Sequence, residues 1–114
     1  MKVVYVAGPY TGKDKIERNI NIEVARKYGL RLWELGFAVI TPHLNTMQMD
    51  DYIDVPPEIF YAGDLAILKK CDAIFMVDTW KDSVGAKREH EFAKENNIPI
   101  FYKINDIMEW KDIG

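Results

Sequence analysis

The sequence predicts an α/β fold, a small three-layer sandwich in which helices cover both faces of a parallel sheet of four to five strands. Three observations carry this. Four apolar runs rich in β-branched residues fall at 3–7, 37–41, 73–77 and 98–102. Segments of helical periodicity separate them, and strands this apolar, joined through helices, belong to a parallel sheet in which both faces find cover. The chain has 114 residues, enough for one domain (1–114) that buries roughly two-thirds of its unfolded surface.

The elements follow in order. The first strand reads Val-Val-Tyr-Val-Ala and runs into Gly8 and Pro9. Helical spacing then covers 16–35, the second strand 37–41, and a second helix 58–70. The stretch PHLNTMQMDDYIDVPPE between them exceeds the usual connection length, and is either a lid over a ligand or a disordered surface loop. The third strand at 73–77 leads into a helix at 84–96, the fourth strand at 98–102, and a last helix at 106–110. Such an order is flavodoxin-like, in the wider sense Rossmann-like, and open sheets of this kind bind ligands at the carboxyl ends of their strands.

Composition narrows the function. Net charge is −3 with acids and bases interspersed, and no basic tract exists to follow a polynucleotide backbone. Neither a cleavable leader nor an 18-residue apolar span is visible, so the expectation is a soluble, cytoplasmic protein without a membrane partner. Cys71 is the sole cysteine, which rules out a disulfide framework and a thiolate metal cluster. His43 and His90 have no partner at metal-ligand spacing; no metal is expected, and His90 is expected to face solvent.

The first loop, GPYTGKD, is not a triphosphate loop. That motif needs four spacers between its glycines and a hydroxyl after the lysine. Here Gly8 and Gly12 enclose three residues, Asp14 follows Lys13, and Pro9 removes an N–H from any phosphate wrap.

Two carboxylates stand out instead. On a helical wheel Gly85, Ala86, Phe92, Ala93 and Asn96 share a stripe with Glu89 at its centre. In the preceding helix Phe60, Tyr61, Ile67, Leu68 and Cys71 share a face, and Asp64 lies in its middle. Acids on inward faces need a reason, because burying a carboxylate is costly and raises its pKa. One reason is a structural hydrogen bond or ion pair; another is catalysis by paired carboxylates around a cavity, as in glycoside chemistry. Other polar groups converge on the same end of the sheet. Ser83 is a helix cap or an anion contact at the start of the Glu89 helix. Arg18 and Asn21 begin the inward stripe of the first helix, and Tyr5 points from the first strand.

Read together, VYVAGPYTG, DLAILKKCDAIFMV and SVGAKREHEFA resemble the nucleoside 2-deoxyribosyltransferase superfamily, which includes nucleotide N-glycosidases, over most of the chain from Tyr5 to Ala93. The resemblance is nearest to small bacterial and phage members. It implies that Tyr5, three residues before Gly8, orients the nucleophile, and that Asp64, eight before Asp72, acts near base and sugar. It implies that Glu89, six after Ser83 and four before Ala93, is the nucleophile. It further suggests Ser83, Thr11 and Lys13 as 5′-phosphate contacts. With Gly8, Pro9, Arg18, Asn21 and Gly85 these complete the candidate substrate-binding set. Where family transferases carry a glycine two residues after the nucleophile, this chain has Glu91.

The expected activity is cleavage or transfer at the N-glycosidic bond of a nucleoside or nucleoside 5′-monophosphate. No cofactor or metal is called for, because the leaving base can be protonated and the nucleophile is expected to be an anion already. The resemblance also implies a homodimer or higher homo-oligomer, for which Trp33, Trp80 and Trp110 are candidate anchors. Two other readings are kept: a noncatalytic nucleotide-binding or sensing domain with the same pocket, and a phosphoacceptor domain using Asp78.

Overall fold

Four parallel strands, β1 (Val3–Ala7), β2 (Ala38–Ile40), β3 (Ala73–Met76) and β4 (Ile100–Phe101), line up in the order β2-β1-β3-β4. The computed structural model describes residues 1–45, 49 and 52–113. Tyr5 lies in register with Ile40 on one side and Ile74 on the other. The helices are α1 (Lys15–Glu34), α2 (Pro42–Asn45), α3 (Pro57–Lys69), α4 (Val84–Glu95) and α5 (Ile104–Ile113), and a 3₁₀ turn at Trp80–Asp82 precedes α4. No described helix is long and apolar enough to cross a membrane.

Strand alternation divides the core into two halves, since successive side chains point to opposite faces. Val4, Val6, Ala73, Phe75 and Val77 pack with Leu32 of α1, Phe37 and Ile107 of α5. Tyr5, Ala7, Ile74 and Met76 pack on the other side with Leu68 of α3 and with Ala86 and Ala93 of α4. The result is the expected three-layer α/β sandwich, with the central strands buried on both faces.

Local chemistry sets the helix starts. The Asp14 carboxylate accepts the Glu17 N–H at 2.8 Å and caps α1. Pro57 opens α3, where a missing N–H costs nothing. Ser83 Oγ accepts the Ala86 N–H at 3.1 Å and caps α4.

Several boundaries differ from those expected. β4 has two residues rather than five; it pairs with β3 alone, so few ladder bonds define it. The last helix runs from Ile104 to Ile113, because Trp110 packs on Phe101 and Phe37, at ring separations of 5.1 and 6.3 Å, and extends the amphipathic face. The long segment after β2 begins with α2 and is therefore not irregular throughout. The part of the expected lid at 46–48, 50 and 51 lies outside the described residues.

This topology produces a crevice. From β1 the chain goes through α1 to β2 on one flank, and returns through α3 to β3 on the other. The carboxyl ends of β1 and β3 therefore face a topological switch point, the usual ligand position in an open α/β sheet. Gly8 sits there because a Cβ would lie 2.9 Å from the Val77 Cβ, closer than side chains approach. The Val77 N–H donates to the Ala7 carbonyl at 2.8 Å, which draws the two strand ends together.

Candidate active site at the switch point

The centre of the site is a contact between β1 and α4. Tyr5 is fully buried, and its hydroxyl donates a hydrogen bond to Glu89 Oε2. Glu89 keeps only 9 % of its surface exposed. It occupies the stripe of α4 that contains Ala86 and Ala93, so the helix packing that builds the core also turns this carboxyl inward. Asp64 reaches the same region from α3, half-buried.

Burial governs the electrostatics. It pushes the Glu89 carboxyl up to about 8; the Tyr5 hydrogen bond opposes that shift and the Asp64 charge adds to it. Burial also raises Asp64, to about 6. The Tyr5 phenol is driven well above its ordinary range, first by burial and then by Glu89 and Asp64, so it stays a hydrogen-bond donor. This environment works against the expectation that Glu89 is already an anion at neutral pH, because burial favours the neutral form of Glu89 and, to a lesser degree, of Asp64.

These acids face a cleft of about 440 Å³, a size suited to a small ligand. Gly8, Tyr10 and Thr11 line it from the β1–α1 loop, Pro42 and Val55 from the segment after β2, and Pro57, Phe60, Tyr61 and Asp64 from α3. Ser83, Val84, Gly85, Ala86, Arg88 and Glu89 close it along the first turns of α4. Gly85 leaves room here: a Cβ would stand 3.1 Å from the Tyr61 hydroxyl, a tight contact that the phenol would have to relieve.

The structure thus brings Gly8, Thr11, Asp64, Ser83, Gly85 and Glu89 to one cavity, with Tyr5 behind Glu89. Four other expected residues are not among its lining. Lys13 is exposed and Pro9 half-buried. Asn21 donates to the Tyr10 carbonyl at 3.3 Å, so it braces the loop. Arg18 is half-buried, and its Nε has no hydrogen-bond partner among the described residues. Asp78 is exposed and outside the lining. Glu91 is exposed and is not among the residues lining the cleft.

His90 is not simply solvent-facing. It is half-buried, stacks on Trp80 at 4.3 Å, and its Nε2 lies 2.6 Å from the Tyr102 hydroxyl. Trp80 and Trp110 are both spent on contacts within the chain, whereas Trp33 is exposed.

Tyr61 and Arg88 are two polar lining residues outside the expected set. Tyr61 had a signal, since it shares the Asp64 face of α3. Its hydroxyl is buried and has no hydrogen-bond partner among the described residues. Arg88 lies outside the apolar stripe of α4, yet its guanidinium folds over the Tyr61 ring, 4.9 Å from the centroid. It meets the face of the ring in a cation–π contact, and its charge opposes the rise that burial imposes on the Tyr61 phenol. The cleft therefore holds a cation beside two acids and a capped helix start.

The sequence model of a family described as "Domain of unknown function (DUF4406)" matches residues 2–102. That span includes all four strands and every residue of the cleft. Among curated proteins, none matches the chain.

Proposed function

The chain belongs to the family described as a domain of unknown function, DUF4406, and we propose that it acts at the N-glycosidic bond of a nucleoside or nucleoside 5′-monophosphate. The observation that carries this reading is the buried Tyr5–Glu89 hydrogen bond in a cleft that also contains Asp64. In the proposed reaction Glu89 gives up its proton to solvent, and a carboxylate oxygen then attacks C1′ and forms an ester. The C1′–N bond breaks, and its electron pair leaves with the base, which takes up a proton. Water, losing a proton, or a second base then attacks C1′, and the ester's C1′–O bond breaks to give free sugar or a new nucleoside and to restore the Glu89 carboxylate. Tyr5 holds the carboxylate by its hydrogen bond. Asp64, the acid that ionises first, accepts hydrogen bonds from sugar hydroxyls. Ser83 and the N-terminus of α4 favour an anionic group, which suits a 5′-phosphate. The small-molecule partner, a cytoplasmic setting and a homo-oligomeric assembly belong to the same proposal.

The test is release of free base, followed by chromatography, from a panel of ribo- and deoxynucleosides and their 5′-monophosphates, with and without an acceptor base. Wild type is expected to release base from at least one substrate while Glu89→Ala releases none. Normal turnover by Glu89→Ala would remove the nucleophile assignment.

One observation favours a second reading. Burial holds Glu89 toward its neutral form at pH 7, which suits a site that binds a nucleotide without cleaving it. Such a domain would return its nucleotide unchanged after long incubation, and any release of base excludes it.

A further inference from the structure

α1 carries on its outward side a row of apolar and charged residues that no described residue covers. Its inner face buries Ile22, Ala25, Gly29 and Leu32. On the outer face Ile16, Ile20, Leu30 and Trp33 remain 73, 56, 58 and 53 % exposed. The outward positions Ile16, Ile20, Glu23, Lys27, Leu30 and Glu34 follow one another at alternating spacings of four and three. That is the heptad spacing of a helix-pairing seam.

The order of residues along this seam is self-complementary. We propose that the outer face of α1 is a homodimer interface, in which two copies of the helix pair antiparallel about a two-fold axis passing between Glu23 and Lys27. In this register Ile20 meets Leu30 of the partner subunit, and Glu23 meets the partner's Lys27. Each contact occurs twice, as an isologous interface requires. Ile16 meets the aliphatic part of the partner's Glu34, and on one flank Glu17 falls opposite the partner's Arg31. On the other flank Arg26 approaches its own copy, but Glu23 already compensates its charge within the chain at 3.3 Å. A parallel pairing in register is disfavoured, because it sets Glu23 against Glu23 and Lys27 against Lys27. The groove lined by Ile16, Asn19, Ile20, Glu23, Val24 and Lys27 gives the partner's Leu30 a seat. This inference names the interface of the homo-oligomer proposed above, but it stands on the exposed face of α1 and does not require the glycosidic chemistry.

Charge reversal tests the register directly. Wild type, Glu23→Lys, Lys27→Glu, the double reversal and Leu30→Asp are compared by sedimentation equilibrium over a concentration series. Far-UV circular dichroism checks that these exposed substitutions leave the fold intact. Wild type is expected to be a dimer, and each single reversal to weaken it by about tenfold or more, equivalent to about 1.4 kcal/mol. Leu30→Asp is expected to be monomeric, and the double reversal to recover part of the lost dimerisation, since it restores the opposite-charge pairs across the axis but leaves Arg26 uncompensated beside its copy. An equimolar mixture of the two single variants is expected to form a heterodimer, since one then presents two lysines to two glutamates. A monomeric wild type, single reversals that leave dimerisation unchanged, or a mixture that stays monomeric would each overturn the proposal.

Discussion

At the scale of single residues, Tyr5 and Glu89 divide one task between them. In the proposed reaction the ionised Glu89 carboxylate is the nucleophile, and burial, which raises this carboxyl to about 8, opposes its ionisation. Tyr5 offers the hydrogen bond that stabilises the ionised form. Two predictions follow from the signs. The kcat/KM of the wild type should rise with pH as free Glu89 ionises, with its midpoint near 8. Tyr5→Phe removes a hydrogen bond to a charged group, worth about 1.5–3 kcal/mol. It should therefore lower kcat/KM about 10- to 100-fold and move the midpoint upward, because the opposing influence on Glu89 is gone. A Tyr5→Phe profile unchanged in height and midpoint would show that the phenol only fills space. Arg88 and Tyr61 mark the limit of what spacing reveals: periodicity gives the direction in which a side chain leaves its helix, and Arg88 leaves outward before turning back across the Tyr61 ring.

At the scale of elements, α4 is the one that makes the site. Its cap fixes where the helix starts, its buried stripe aims Glu89, and its second residue is a glycine that leaves space at the cleft. Ser83→Ala removes the side-chain cap and should cost about 1 kcal/mol of stability, a fall in Tm of about 4 °C for a domain near this size, read by thermal melting. Gly85→Ala tests the opposite balance. Helix propensity favours alanine by up to about 1 kcal/mol, while its Cβ would approach the Tyr61 hydroxyl. The phenol is a side-chain tip able to yield, so the variant should melt within about 4 °C of wild type while substrate KM rises. A wild-type KM would mean that the ligand does not use this end of the cleft.

Most of these elements were legible because they repeat. The central strands are apolar on every residue, and the helices between them have well-spaced stripes, so β1, β3, α1, α3 and α4 could be read to within a few residues. Glu89 and Asp64 were legible as the acids that interrupt those stripes. β4 was overextended because hydrophobic content does not report the pairing that ends an edge strand. α2 was missed because a four-residue helix has no period to read. Lys13 was grouped with the cleft by its place in the loop, but adjacency in sequence does not fix which way an exposed side chain points.

At the scale of the whole molecule, the site makes the fold sensitive to pH. Glu89 rises from an ordinary value near 4.5 to about 8 on folding. Between those values the folded chain binds more protons than the unfolded one, so stability falls as pH rises through that window. The slope from this group approaches about 1.4 kcal/mol per pH unit within it. Asp64 acts in the same direction at lower pH, between its ordinary 3.8 and about 6. Melting temperature should therefore fall from pH 5 to pH 8, and Glu89→Gln should flatten the upper part of that decline. A wild type whose Tm rises or holds steady across the window would show that the carboxyl is ionised throughout. The same acid thus destabilises the folded chain near neutral pH and gives the cleft its proposed reactivity, a combination expected where strain is retained for function.

The most direct measurement of that reactivity is intact-protein mass spectrometry after rapid acid quench, with peptide mapping, on protein mixed with a cleavable nucleoside or nucleotide. A glycosyl adduct of the sugar's mass, located on Glu89, is expected in wild type and absent from Glu89→Gln. Free base appearing at an undiminished rate in Glu89→Gln, or an adduct mapped to another residue, would contradict it.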